Sequence, residues 1–234
     1  MADTGQPTTR VAYILDKSGS MASCREEAIK GTNDYMEALC GENPDARVTV
    51  TLFDTEVYQV IDSVLVREIT QLTPDAYIPS GGTALYDAVG SSIAAIGAEA
   101  QDGDIVLVSI FTDGEENASQ EFSHETIRDL ISKHEKKGWT FAYLGANHDA
   151  WAAAESIGIP SNNTIRFAAV AADDAFAKAG RIQSRFLRRR NEAPEAQPQA
   201  MFATGDIEDE AEPEPEPLPG DWKQPRDNPR KKKR

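Results

Sequence analysis

The 234-residue chain predicts an α/β fold, a mostly parallel sheet with one antiparallel edge strand and helices on both faces. Three observations carry this. Strand and helix signals alternate through residues 1–190, as successive βαβ units require. The run Asp104–Phe111 (DIVLVSIF) is almost continuously apolar, as suits a strand covered on both faces. Asp54-Thr55-Glu56 joins two extended runs too closely for a helical crossover, so the second run returns antiparallel.

The elements follow in order. Arg10–Asp16 (RVAYILD) reads as the first strand. Ser20–Cys40 reads as a helix with Ile29, Thr32, Met36, Leu39 and Cys40 on one face, and Gly41 stands where a C-terminal glycine belongs. Arg47–Phe53 alternates Val48, Val50 and Leu52 with Thr49 and Thr51, a β-branched pattern, and Val57–Val64 is the returning edge. Pro79-Ser80-Gly81-Gly82 marks a loop before a helix over Thr83–Ala98, with Leu85, Ala88, Val89, Ser92 and Ile96 inward. After DIVLVSIF come a helix over Ser123–Lys137 and a strand over Trp139–Leu144. Next are a helix capped by Asp149 and ending near Gly158, and a short strand over Thr164–Phe167. The last helix, Asp173–Arg190, carries Phe176, Ala179, Ile182 and Phe186 in one stripe.

Residues 8–190 therefore form one domain, and residues 191–234 a tail of different character. Eight of the 13 prolines lie in the tail, and Asp206–Glu216 (DIEDEAEPEPE) holds seven acids and no base. Such a segment buries too little apolar surface to offset its ordering entropy, so it reads as disordered. It ends in the basic run Arg230–Arg234 (RKKKR).

Net charge is −15, of which −11 falls in residues 1–190 and −4 in the tail, so the folded domain is a poor partner for nucleic acid. No stretch of about 20 apolar residues offers a membrane span. The polar start MADTGQPTTR predicts no secretory signal peptide. Cys24 and Cys40 fall on the same expected helix, roughly 24 Å apart at about 1.5 Å per residue, too far for a disulfide. Together these features favour a reducing cytoplasm.

Three loops concentrate oxygen donors. Asp16-Lys17-Ser18-Gly19-Ser20 follows the first strand, Gly81-Gly82-Thr83 opens a helix, and Thr112-Asp113-Gly114 follows DIVLVSIF. In an open α/β sheet, ligands bind beyond the carboxyl ends of the strands at the topological switch point, where all three loops can meet. Asp16, Ser18, Ser20, Thr83 and Asp113 offer only hard oxygen, which suits Mg²⁺ and disfavours zinc or copper. The bland alternative is a set of helix caps and Asx turns without metal, with Ser20 and Thr83 as N-caps.

DKSGS, GGTALYDA and FTDG, in this order, resemble the metal-ion-dependent adhesion site of von Willebrand factor type A domains. The resemblance covers roughly residues 8–190. It implies a Rossmann-like three-layer sandwich with a six-stranded sheet. Ser18, Ser20 and Thr83 would coordinate Mg²⁺ or Mn²⁺ through hydroxyls, and Asp16 and Asp113 directly or through water. A protein partner's Asp or Glu would complete the shell. TDGEEN and YLGANHD resemble the small stand-alone intracellular members of bacteria and phages more than the secreted adhesive ones.

Around this site, Glu115, Glu116 and Asn117 read either as partner-selecting groups or as solvated loop, and Asp87 either as a neighbour of the metal ligands or as a helix-surface acid. His124, His134 and His148 are scattered, and His134 in KHEKKG reads as exposed. Lys178, Arg181, Arg185 and Arg188 form a basic stripe, which is either a solvated face or a seat for the Asp206–Glu216 run or an acidic partner. Met201-Phe202 and Trp222 are apolar spots in the tail, read as free segment or short docking motifs.

The leading functional expectation is a non-enzymatic, metal-dependent protein-interaction module. One rival is a Mg²⁺-dependent phosphotransferase of haloacid dehalogenase type, which also begins with Asp at the end of a first strand. That chemistry wants a second carboxylate two residues on, and Ser18 stands there. The other rival is a virion or structural component whose metal only stiffens loops.

Overall fold

The computed structural model describes residues 7–146, 150–193 and 201–202. Within them six strands form one sheet: β1 (Thr9–Asp16), β2 (Arg47–Phe53), β3 (Val57–Leu65), β4 (Ile105–Thr112), β5 (Thr140–Gly145) and β6 (Thr164–Arg166). Their order is β3-β2-β1-β4-β5-β6, with β3 antiparallel to β2 and all other neighbours parallel. The helices are α1 (Arg25–Glu42), α2 (Leu85–Glu99), α3 (His124–Glu135), α4 (Ala150–Ser156) and α5 (Ala172–Glu192).

Successive residues of a strand point to opposite faces, so β1 feeds two cores. Val11, Tyr13 and Leu15 join Phe111, α1 and α5 on one face. Ala12 and Ile14 join Val106, Val108, Ile110, α2 and α3 on the other. The first core is aromatic at its centre. Phe111 lies 4.4 Å from Tyr13 and 4.6 Å from Phe176, ring centre to ring centre. The buried Tyr35 hydroxyl donates to Gln183 Oε1 at 2.5 Å, and Tyr13 and Thr32 share a hydrogen bond of 2.9 Å. Apolar packing thus proceeds without leaving these phenols unpartnered.

Helix α1 packs closely on α5 because glycine stands at two crossing points. A Cβ on Gly31 would meet Phe176 Cβ at 2.7 Å, and one on Gly180 would meet Tyr35 Cα at 2.8 Å. Gly180→Ala gains up to about 1 kcal/mol of helix propensity. It loses about 1–3 kcal/mol to overpacking, because the obstacle is backbone and cannot rotate away. We expect a net loss. Gly41→Ala, in the same helical setting with nothing within 4 Å, should stabilise by about 0.5–1 kcal/mol. Urea midpoints of the two variants should move in opposite directions.

Two local expectations need correction. Residues Gly19–Cys24 form a 3-10 helix, and the α-helix begins only at Arg25. Ser20 does not cap it, since its hydroxyl donates to Asp113 across the sheet edge. Gly41 lies inside the last turn, and the helix ends at Asn43, whose N–H donates to the Leu39 carbonyl. In the tail, Met201 and Phe202 are buried in the first core. Their backbone N–H groups donate to Asn163 Oδ1 at 3.1 Å and to the Asn162 carbonyl at 2.9 Å. They dock on their own domain, which removes the reading of this pair as a free docking motif. Trp222, the acidic run and the basic terminus lie outside the described residues.

Candidate functional site

β1 and β4 are adjacent and parallel, yet the chain leaves β1 through α1, on one face, and enters β4 through α2, on the other. Their carboxyl ends therefore form the switch point of the sheet. Asp16 is the last residue of β1 and Asp113 the first after β4. The third loop arrives between β3 and α2. Gly81, at φ +70°, takes the left-handed conformation that glycine tolerates, and its carbonyl accepts the Gly19 N–H at 3.1 Å. Gly82 N–H donates to Thr55 Oγ1 at 2.8 Å, and Thr83 N–H to Asn117 Oδ1 at 2.9 Å.

The five expected donors come together. Ser18 and Ser20 hydroxyls are 3.1 Å apart, and Ser20 donates to Asp113 Oδ1 at 2.6 Å. Gly114 locates the centre. A Cβ built there would sit 2.8 Å from Thr83 Oγ1 and 3.5 Å from both Asp16 Oδ2 and Ser20 Oγ. Oxygens bound at right angles about 2.0–2.1 Å from one Mg²⁺ lie roughly 3 Å apart, near the 3.1 Å between the Ser18 and Ser20 hydroxyls, whereas the 2.6 Å from Ser20 to Asp113 is a direct hydrogen bond. Among the described residues no three His, Cys, Asp or Glu side chains cluster for a metal. The donor set is two carboxylates and three hydroxyls, all hard oxygen.

The charge on this rim is poorly matched by the protein itself. Asp16 is fully buried, and burial pushes its carboxyl up to about 6 from 3.8, with the charge of Asp113 adding to the rise. The Thr112 hydroxyl, donating to Oδ2 at 2.5 Å, and the Ser18 N–H, donating to Oδ1 at 2.6 Å, oppose the shift without cancelling it. Burial raises Asp113 as well. Lys17, the nearest cation in sequence, is spent on an ion pair with Asp54 and sits 4.5 Å from the Tyr58 ring centre.

Of the neighbours, Glu116, Asn117 and Asp87 take roles that neither sequence reading gave them. Glu116 is a scaffold: Oε1 accepts the N–H groups of Ala118 and Ser119, and Oε2 accepts that of Tyr86 at the start of α2. Asn117 pins the Thr83 loop from both sides, its side chain accepting the Thr83 N–H and its own N–H donating to the Thr83 carbonyl. Asp87 is buried and accepts the N–H groups of Gln120, Glu121 and Phe122, so it holds a loop and not a metal ligand. Glu115 stays exposed. His134 is buried, with Nδ1 on the Leu130 carbonyl at 2.8 Å and its ring against Trp139, which corrects the exposed reading. His148 and Asp149 lie outside the described residues. Thr112 and Tyr77 escaped the sequence reading, although Thr112 bonds the Asp16 carboxylate and the Tyr77 hydroxyl bonds its carbonyl at 2.5 Å. Thr112 stands in the FTDG run, but a threonine at a strand end looks like ordinary β-propensity.

Both cysteines are unpaired, Cys24 buried and Cys40 partly exposed. No helix among the described residues is long and apolar enough to cross a membrane.

No family model and no curated protein matches the sequence. Solved structures do match the fold. A von Willebrand factor type A protein from Catenulispora acidiphila superposes with a TM-score of 0.52 at 12% identity, over 77% of this chain and 43% of that one. The vWF domain of the type V pili tip protein Mfa5 from Porphyromonas gingivalis gives 0.55 at 10%, over 76% of this chain and 95% of the other. The PilB minor pilin from Streptococcus sanguinis gives 0.54 at 13%, over 79% and 63%. The chain thus spans less than half of the Catenulispora protein and under two thirds of the pilin. Identities this low bear on architecture and leave the chemistry to the residues described above: the chain folds as a von Willebrand factor type A domain.

Proposed function

We propose that this chain is a metal-dependent protein-interaction module, in which Asp16, Ser18, Ser20, Thr83 and Asp113 hold Mg²⁺ or Mn²⁺ at the carboxyl edge of the sheet. The observation that carries the reading is that Thr83, Asp16 and Ser20 oxygens converge around the Gly114 position while Ser20 links Ser18 to Asp113, with no cation among the described residues paired to either carboxylate. Asp16 and Asp113 supply the negative charge, directly or through water, and the three hydroxyls supply neutral oxygen. A divalent ion so held supplies Lewis acidity toward an incoming carboxylate. The partner is therefore a protein that presents an Asp or Glu at the open side, where Gly19, Ser20 and Gly81 are exposed. The fold likeness favours an interaction role over a catalytic one.

Ser18→Ala with Ser20→Ala tests this. We expect the double variant to melt within a few degrees of metal-free wild type, since both positions keep their backbone bonds. In affinity capture from native lysate, wild type should retain in Mg²⁺ a protein that EDTA releases, and the double variant should retain none of it. Equal capture of the same protein in EDTA would overturn the proposal.

A pH dependence follows from Asp16. A carboxyl raised on folding binds its proton more tightly in the native state. Its stabilising contribution is therefore present below about pH 4 and lost as pH rises through about 6. The full loss is on the order of 3 kcal/mol at 1.36 kcal/mol per unit. Burial also raises Asp54 and Asp104, but bonds from Lys17 and Arg10 outweigh it and hold both below their ordinary values. Those groups favour the fold at higher pH and mask the effect in wild type alone. Comparison with Asp16→Asn isolates it. In EDTA, Asp16→Asn should gain stability over wild type as pH rises from 4 to 7.5, read by thermal melts at each pH.

A further inference from the structure

β6 ends the sheet, with β5 as its partner among the described strands. Beside it lies an open groove of about 990 Å³, bounded by Trp151 of α4 and the α5 stripe that includes Lys178 and Ile182. Phe167 and Phe202 add to an apolar lining, and Arg166 and Lys178 bring positive charge, with Asp174 alongside. Trp151 keeps 52% of its surface exposed, with the Arg166 guanidinium 5.6 Å from its ring centre. Half-exposed tryptophan beside apolar groove walls is surface that a partner segment would cover.

The chain delivers a candidate to this place. Phe202 lines the groove, fixed by its N–H on the Asn162 carbonyl, and the sequence continues from there as Ala203-Thr204-Gly205-Asp206-Ile207-Glu208-Asp209-Glu210. Ile207 is the single large aliphatic residue between Phe202 and Glu216, and acids flank it on both sides. Five extended residues reach about 17 Å, enough to cross a groove of this size. So short a tether holds its end at an effective concentration of about millimolar order, so even a weak contact is populated. The remaining basic stripe of α5 is less suited to the acidic run, because Arg188 is already paired with Glu42 of α1 at 3.3 Å.

We propose that Asp206–Glu210 of this chain docks in the groove between β6 and α5. Ile207 fills the apolar lining at Trp151 and Phe167, and the flanking carboxylates face Arg166 and Lys178. This docking is independent of the metal reading.

The test is amide hydrogen exchange on the full chain, comparing wild type with Ile207→Asp and with Leu218→Asp as a control in the same tail. Amides of residues 161–167 should exchange about tenfold faster in Ile207→Asp and at the wild-type rate in Leu218→Asp. Residues 207 and 218 lie outside the described residues; by linkage Ile207→Asp should lower the melting temperature by only a few degrees, and Leu218→Asp should leave it unchanged. Arg166→Glu with Lys178→Glu should reproduce the acceleration. Unchanged exchange in Ile207→Asp would overturn the proposal and leave the groove to a separate protein. A photocrosslinker at position 207 in a mixture of ¹⁴N and ¹⁵N chains should give crosslinks within one chain. Crosslinks between chains would assign the groove to a second copy and overturn it equally.

Discussion

Asp113→Ala is expected to erase the rise in melting temperature that Mg²⁺ produces in the wild-type protein. With the ion at a hundredfold its dissociation constant, a site that exists only in the folded state stabilises by about 2.7 kcal/mol. For a domain of this size that is roughly 5–10 °C. Asp113 is one of two carboxylates among the five donors, and its Oδ1 is also the acceptor that orients Ser20. Its loss removes charge and preorganisation together. In EDTA the outcome differs. Removing Asp113 also removes a charge that raises the buried Asp16 carboxyl, so the metal-free variant should melt close to metal-free wild type. Loss in Mg²⁺ with parity in EDTA separates a ligand from a structural residue. An unchanged Mg²⁺ response in Asp113→Ala would remove the site.

Gly114→Ala should weaken Mg²⁺ by at least the roughly 10- to 100-fold seen when a neighbour of a metal ligand is replaced. All five donors stay in place. The methyl would enter the space they share, 2.8 Å from Thr83 Oγ1, closer than real Cβ atoms come to other atoms. Gly114 has no left-handed backbone, so alanine brings no conformational strain of its own. Titration calorimetry with Mg²⁺ reads the affinity, and an EDTA melt reads the fold. Wild-type affinity in Gly114→Ala would mean that the Thr83, Asp16 and Ser20 oxygens do not share one centre. The two substitutions fail in different ways, one by deleting charge and one by occupying volume, so agreement between them is hard to obtain without a common cation.

The elements were legible because each has a local signature. The near-continuous apolar run of β4 and the alternating Val and Thr of β2 mark strands wherever they sit. The Phe176–Ile182–Phe186 stripe marks a helix in the same way. The Asp54-Thr55-Glu56 turn likewise announced the antiparallel edge. The candidate donors were legible for a related reason. Asp16, Ser18 and Ser20 fall in one loop, and Thr83 and Asp113 each follow a recognisable turn or strand.

Other features carry no local mark. β1 is apolar on both faces, so nothing in RVAYILD says that Tyr13 meets α1 and α5 while Ile14 meets α2 and α3. Glu116 and Asp87 look like surface acids, and their roles as acceptors of backbone N–H groups depend on loops folded back over α2. Ser20 reaches Asp113 across 93 residues, and Met201 reaches Asn163 across 38, and no local pattern announces either contact.

From composition and periodicity came the strands, the helices and the parallel sheet, and from three short loop motifs and the resemblance they carry came the five oxygen donors. These depend on side-chain spacing of two or 3.6 residues and on short turns. The tertiary structure decided which hydroxyl faces which carboxylate, which acids support loops, and that a glycine leaves the space between the donors open. Those outcomes depend on chain crossings and on burial, and both arise only when segments distant in sequence exclude water from one another.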